Sequence, residues 1–232
     1  MNIVFNNFNK SYGDEVVYKD FNLEIAEGKI TSILGGSGSG KTTLLNAVSG
    51  LMGYQGEING IPNDISYIFQ NQILIPNLTV YKNIEYVLYA KIKDKTLRQE
   101  KITNALDAVG LLDSIKKYPS ELSTGMAQRV SMARAFAYPA PLILMDEPFR
   151  GLDIGLKNRL IAAFTALWEK ERRTVIFVTH NIDEALLLSE RIIVIGNRPV
   201  EIISEQNIDI PQSSRRLADM GDMHGKLLNL FS

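Results

Sequence analysis

The eight residues GGSGSGKT, Gly35 to Thr42, constrain this chain more than any other stretch. They fit G-x-x-x-x-G-K-[ST], with Gly35, Gly40, Lys41 and Thr42 at the fixed positions. Before them, Lys29 to Leu34 (KITSIL) reads as a short strand; after them, Thr42 to Val48 (TTLLNAV) opens a helix. Strand, glycine loop and helix form the context in which such a loop works, because its chemistry comes from the backbone. Gly35, Gly36, Ser37, Gly38, Ser39 and Gly40 let successive N–H groups turn inward into a concave anion nest, and the helix N-terminus adds partial positive charge. Lys41 then reaches the outer phosphates of a nucleoside triphosphate such as ATP, Thr42 offers its hydroxyl to Mg²⁺, and Thr43 follows within the first helical turn. A flexible Gly/Ser linker needs neither Lys-Thr at its end nor an apolar strand before it.

The rest of the composition is permissive. A length of 232 residues suits one large domain or two small ones, and a hydrophobic content of 45% suffices for a sizeable core. The net charge of −1 gives no basic face, so nucleic acid is not an expected partner. With no cysteine there are no disulfides and no thiolate-held metal. The first residues, MNIVFNNFNKSYGDE, lack a basic segment followed by an apolar one, so no signal peptide is expected. No apolar run approaches the roughly 20 residues of a membrane span; any spanning is left to another chain.

Residues 2–8 and 16–25 alternate apolar and polar positions, the period of half-buried strands, with Ser11-Tyr12-Gly13-Asp14 as a turn. Short strands are expected over Gly56–Gly60 and Ile65–Gln70. From Thr79 to Val109 the spacing of Val80, Ile84, Val87, Leu88, Ile102, Leu106 and Val109 is helical. Leu142–Met145 is a wholly apolar run of the kind found in parallel strands covered on both faces, and Thr174–Thr179 (TVIFVT) reads as another buried strand. Leu156–Lys170 and Ile182–Ser189 read as helices, and Arg191–Ile195 as a strand. The expected fold is α/β: a P-loop NTPase core with a mostly parallel sheet, an N-terminal antiparallel β layer and an inserted helical subdomain. It is one domain over 1–232, with about 1–74 and 136–232 forming the core and about 75–135 the helical part. The segment from Gln212 onward has no assigned element.

Asp146 and Glu147 end the LILM strand, and ligands of open α/β sheets bind off the carboxyl ends of strands. The natural division gives Asp146 to the Mg²⁺ shell and Glu147 to the attacking water. His180 follows the TVIFVT strand at the same kind of end and is placed to donate a hydrogen bond to the outermost phosphate. Gln70 is either a ligand of Mg²⁺ or of the water, or a plain surface amide.

With Leu122-Ser123-Thr124-Gly125-Met126-Ala127-Gln128-Arg129 added, the chain resembles the ATPase subunits of ATP-binding cassette transporters. The resemblance runs over nearly the whole chain, from the glycine loop through Gln70, LSTGMAQR, LILMDEP and Asp153 to His180, in the family's order. It implies that Tyr12 stacks on adenine, that Ser123 and Gly125 contact the γ-phosphate of ATP held by a second subunit, and that Asp153 couples the two sites. The family's usual signature is LSGG, and Thr124 stands at the first glycine position. If that position needs a left-handed backbone, a β-branched residue is costly there; if not, Thr124 is tolerated. Arg150 also stands where a small residue is common.

The resemblance further implies a head-to-tail pair, a homodimer or a heterodimer with a paralogue, closed over two ATP molecules. It implies a transmembrane permease contacted through the helical segment, a separate solute-binding protein, and a peripheral position on the cytoplasmic face of the membrane. Phrases such as VTHNIDEALLLSERIIVIGNRP resemble importers of nitrate, sulfonate, taurine or thiamine-precursor pyrimidines. The alternatives are an exporter subunit, a soluble cassette ATPase uncoupled from transport, and a nucleotide-binding module without turnover.

Overall fold

The computed structural model describes residues 1–230. In chain order the elements are β1 (Ile3–Tyr12), β2 (Glu15–Ile25), β3 (Ile30–Leu34), α1 (Lys41–Val48), β4 (Gln55–Asn59), β5 (Ile65–Ile68), α2 (Val80–Tyr89), α3 (Lys95–Ala108), α4 (Thr124–Ala137), β6 (Leu142–Asp146), α5 (Ile154–Glu171), β7 (Thr174–Thr179), α6 (Ile182–Leu188), β8 (Arg191–Gly196), β9 (Glu201–Asn207) and α7 (Gly221–Asn229). They fall into two compact units. The first takes Met1–Ile65, Pro141–Glu147 and Glu171–Ser232; the second takes Ser66–Ala140 and Pro148–Lys170.

In the first unit, β2, β1 and β4 form an antiparallel sheet in that order. The alternation seen in the sequence sends Phe5, Phe8, Tyr18, Phe21, Leu23 and Ile25 inward. Phe8 meets Tyr18 edge-on at 5.0 Å, and Tyr18 meets Phe21 the same way. The hairpin turn is tighter than the expected Ser11–Asp14. Gly13 adopts φ +58, which lets Gly13 and Asp14 reverse the chain alone, so β1 continues through Tyr12.

The larger sheet of this unit runs β6-β7-β3-β8-β9. β3 pairs in parallel with both β7 and β8, and β6 with β7. Every residue of β3, β6 and β7 is buried, as expected of predominantly apolar parallel strands covered on both faces. This order puts the carboxyl ends of β3, β6 and β7 side by side, which positions the site described below.

Two elements in this unit were not expected. β9 pairs antiparallel with β8 at the sheet edge. Its exposed and half-buried residues alternate, but Ile202 and Ile203 are adjacent and blur that period in the sequence. α7 buries only Leu227 and contains Gly221 and Gly225, both poor helix formers. It is held by a core of Leu34, Ala185, Leu186, Ile192, Val194, Ile208, Met220 and Leu227. The same tail carries Arg215. This buried guanidinium donates to the carbonyls of Leu186 at 2.9 Å, Ser189 at 2.6 Å and Ile210 at 2.9 Å, closing the C-terminal end of α6. Burial pushes its pKa down to about 10.

The second unit differs from the expected 75–135 segment at both ends. It begins with the last residues of β5 and also includes α5, which sequence pattern had placed in the α/β core. The reason lies in packing: Phe164 of α5 lies against Phe136 of α4 with ring centroids 5.2 Å apart. The expected Ile65–Gln70 strand stops at Ile68, leaving Phe69 outside any element and Gln70 in a bend.

Arg215→Ala is expected to lower stability by about 2–4 kcal/mol, because several buried carbonyls lose their donor at once. Urea unfolding followed by circular dichroism measures it; a change below about 0.5 kcal/mol would contradict the closing role.

Candidate active site

Gly35–Gly40 forms a loop at the carboxyl end of β3, and Lys41 and Thr42 open α1. A Cβ on Gly35 would lie 2.6 Å from Ser39 Oγ and 2.8 Å from the Ile195 carbonyl, so only glycine fits. Gly40 precedes α1 with φ +87, and a Cβ there would meet the Tyr18 ring at 3.0 Å. No side chain caps α1, so its first N–H groups have no side-chain acceptor. By contrast Thr79, Asp94, Ser123 and Asn181 cap α2, α3, α4 and α6.

Lys41 folds back over the loop. Its Nζ donates to the Gly35 carbonyl at 2.8 Å and to the Gly36 carbonyl at 2.6 Å. Burial pushes the Lys41 ammonium down, while the carboxylates of Glu147 and Asp146 pull it back up. Thr42 Oγ1 donates to Asp146 Oδ2 at 2.9 Å across 104 positions of sequence. Asp146 is 4% exposed, and burial pushes its carboxyl above the usual range, with the Thr42 hydrogen bond opposing.

Glu147 takes φ +44, a left-handed backbone for a non-glycine residue, which costs about 1–3 kcal/mol. Its N–H donates to the Val178 carbonyl at 3.0 Å, holding the turn against β7. Its Oε1 lies 2.9 Å from His180 Nδ1. The His180 ring is thus tied to a carboxylate through one nitrogen, with Nε2 as the other. Tyr12 is half exposed beside the loop's helix; its hydroxyl lies 3.4 Å from Thr43 Oγ1 and 3.0 Å from Met52 Sδ.

The first unit therefore brings together Tyr12, the glycine loop, Asp146, Glu147 and His180. Gln70, Ser123, Gly125 and Asp153 lie in the second unit. There Gln70 is half-buried in the bend after β5. Ser123 caps α4, its Oγ accepting from Met126 N at 3.3 Å. Thr124 is the first residue of α4 and is not among the residues with positive φ, so a β-branched side chain stands there without backbone strain. Gly125 follows, with open room up to Leu152 at 3.4 Å. Asp153 Oδ1 accepts from Leu156 N at 2.9 Å at the start of α5.

The donor set fits Mg²⁺. Thr42 and Asp146 already face each other, and hard oxygen ligands from one or two side chains are what this ion uses beside phosphate. No cluster of three or more His, Cys, Asp or Glu side chains gathers among the described residues. No helix among them is long and apolar enough to cross a membrane.

The family model for ABC transporters matches residues 18–150, more than half of the chain. The chain belongs to the ABC transporter family. It is an ATP-binding and ATP-hydrolysing cassette. It is 37% identical over 218 residues to the aliphatic sulfonates import ATP-binding protein SsuB 1 of Xanthomonas axonopodis pv. citri (strain 306), covering 90% of this chain and 86% of that one. It is 35% identical over 207 residues to the nitrate import ATP-binding protein NrtD of Synechocystis sp. (strain ATCC 27184 / PCC 6803 / Kazusa), covering 86% and 78%. Among solved structures, it is similar to the dimeric ABC transporter cassette MJ0796, at 33% identity and a TM-score of 0.79, covering 88% of this chain and 98% of that one. A dimer of MJ0796 in a post-hydrolysis state, bound to ADP and Pi, aligns at 32% identity and a TM-score of 0.78 over the same shares.

Three further residues make contacts that the sequence does not reveal. Tyr18 is fully buried and donates its hydroxyl to the Gly40 carbonyl at 3.1 Å; burial pushes its phenol far up, keeping it a neutral donor. Its place in an alternating strand marked it only as core. Gln128, in the second unit, donates to the Pro148 carbonyl at 3.0 Å and accepts from Gln72 at the same distance. A glutamine following an amphipathic pattern carries no signal of that contact. The third, Arg198, sits in a turn that pattern cannot place.

Because folding raises the Asp146 pKa, the ionised carboxylate is less stable in the folded chain than in the unfolded one. Its cost is present at neutral pH and vanishes as pH falls through the unfolded value near 3.8, where both states hold the proton. Asp146→Asn should therefore raise the urea midpoint at pH 7, with the gain shrinking toward pH 3.5. A midpoint lowered by the substitution at pH 7 would contradict this reading.

Proposed function

We propose that this cassette is the energy-supplying subunit of an importer for a small anionic or polar solute, acting as a head-to-tail pair closed over two ATP molecules. The sulfonate and nitrate import names of its relatives and the dimeric MJ0796 structures support that reading. The two units serve as one ATPase domain. A permease in the membrane receives the motion, a separate binding protein delivers the solute, and the cassette sits peripherally on the cytoplasmic face.

The observation that carries the chemistry is the Glu147–His180 pair next to the Thr42–Asp146 pair, both at the mouth of the glycine loop. Backbone N–H groups of Gly36 to Thr43, with Lys41, hold the phosphates; Tyr12 takes the adenine. Thr42 and Asp146 would hold Mg²⁺, which when bound neutralises charge on the phosphates, and Gln70 is the candidate further ligand from the second unit. Glu147 accepts a proton from water as the water oxygen bonds to the γ-phosphorus and the bond to the ADP oxygen breaks. His180 orients Glu147 through Nδ1; donation to the γ-phosphate from Nε2 requires the doubly protonated ring. Ser123 and Gly125 complete the opposite subunit's site, and Asp153 links the two.

Glu147→Gln should keep ATP affinity, lower turnover at least about 100-fold and accumulate an ATP-dependent dimer, read by phosphate release and light scattering. Turnover within a few-fold of the original would remove Glu147 from the proton-accepting role. Lys41→Ala should weaken nucleotide binding at least about tenfold by calorimetry; unchanged affinity would count against the loop as the phosphate site.

A further inference from the structure

We propose that Arg198 is a positioning residue of the nucleotide site: its guanidinium holds the Gly38 carbonyl outward and so keeps the phosphate loop in its anion-binding form. This rests on the reading above that Gly35–Thr42 takes the phosphates.

Arg198 lies in the turn between β8 and β9, far from the loop in sequence. That turn is fixed on several sides. Gly196 pairs with Glu201 across the strands, and Asn197 Nδ2 donates to Glu201 Oε2 at 3.1 Å. The N–H of Val200 donates to the Val17 carbonyl at 2.8 Å, tying the turn to β2. From this base Arg198 reaches two targets with separate nitrogens. Nη2 donates to the Gly38 carbonyl at 2.5 Å, and Nη1 forms an ion pair with Glu15. Glu15 begins β2 directly after the Gly13-Asp14 turn, so Arg198 bridges the tip of the hairpin to the phosphate loop.

An exposed Arg–Glu pair alone is worth little. The bond to Gly38 is different, because it acts on the backbone of the loop. Gly38 has φ +76 and no side chain, so its following peptide is held by the Arg198 bond on its carbonyl and by one long hydrogen bond from the Ser39 N–H. That peptide is planar, with its carbonyl and the next N–H pointing opposite ways. Holding the Gly38 carbonyl toward Arg198 turns the Ser39 N–H into the loop, where it lies 3.3 Å from the Gly36 carbonyl. A flip would place an oxygen where phosphate oxygens must go and remove a donor. Lys41 restrains Gly35 and Gly36 from within; Arg198 restrains Gly38 from without. A guanidinium donor makes this a strong hydrogen bond.

The test compares the original protein, Arg198→Ala and Arg198→Lys in three measurements: calorimetric affinity for ADP, calorimetric affinity for inorganic tripolyphosphate, and steady-state ATP turnover. Arg198→Ala should weaken both ligands about 5- to 10-fold and raise KM for ATP by a similar factor, with kcat within about twofold. Arg198→Lys, which keeps the charge but not the two-pronged reach, should fall between. A structural role alone would lower the amount of folded protein without moving affinity per folded molecule. Unchanged affinities in Arg198→Ala overturn the proposal. So does weakened ADP binding with tripolyphosphate binding untouched, which would confine Arg198 to the hairpin tip. If the original protein itself binds neither ligand, the nucleotide site fails, and this inference with it.

Discussion

The open N-terminus of α1 is the constraint from which the site follows. Most helices here have their first N–H groups met by a serine, threonine, asparagine or aspartate side chain. At α1 the preceding residue is Gly40 in a left-handed conformation, which offers no side-chain acceptor. Orphan donors and the end of a helix dipole then face the loop together, an arrangement that favours an anion. Tyr18 makes this geometry durable from below: its buried ring would crowd a Cβ on Gly40 at 3.0 Å, and its hydroxyl holds the Gly40 carbonyl.

Around that open end the chain tolerates features that weaken a fold. Lys41 and Asp146 are both largely removed from water, and burial disfavours the charge on each. Glu147 is strained at its backbone, held by the Val178 carbonyl and by His180. Groups left in such states are poised for a ligand that supplies the missing charges, and stability comes from elsewhere. The fully buried parallel strands supply much of it, and the Arg215 closure of α6 secures the helix that begins beside His180.

Much of this was legible in the sequence for physical reasons. Short, mostly apolar runs such as Leu142–Met145 and Val175–Val178 have few alternatives to buried parallel strands, and carboxylates or a histidine soon after them fall at the carboxyl ends of those strands. What escaped had weaker or longer-range signals. β9 has a broken period, and α7 has two glycines and one buried side chain. α5 has an ordinary amphipathic pattern, which says that it packs but not with which unit; the Phe136–Phe164 contact decides that. The grip of Arg198 on Gly38 spans 160 positions and depends on where one turn lands. Thr124 is the opposite case: the sequence posed a backbone question, and its place at the start of α4 answers it.

The central claim is that a triphosphate is held by the backbone amides of Gly36 to Thr43. Amide hydrogen exchange, resolved residue by residue by NMR with and without Mg·ADP, tests it directly. The account predicts that nucleotide slows exchange most at the loop and the first turn of α1, with smaller changes at Tyr12. Unaltered exchange over those residues, with protection concentrated elsewhere in the chain, would contradict it.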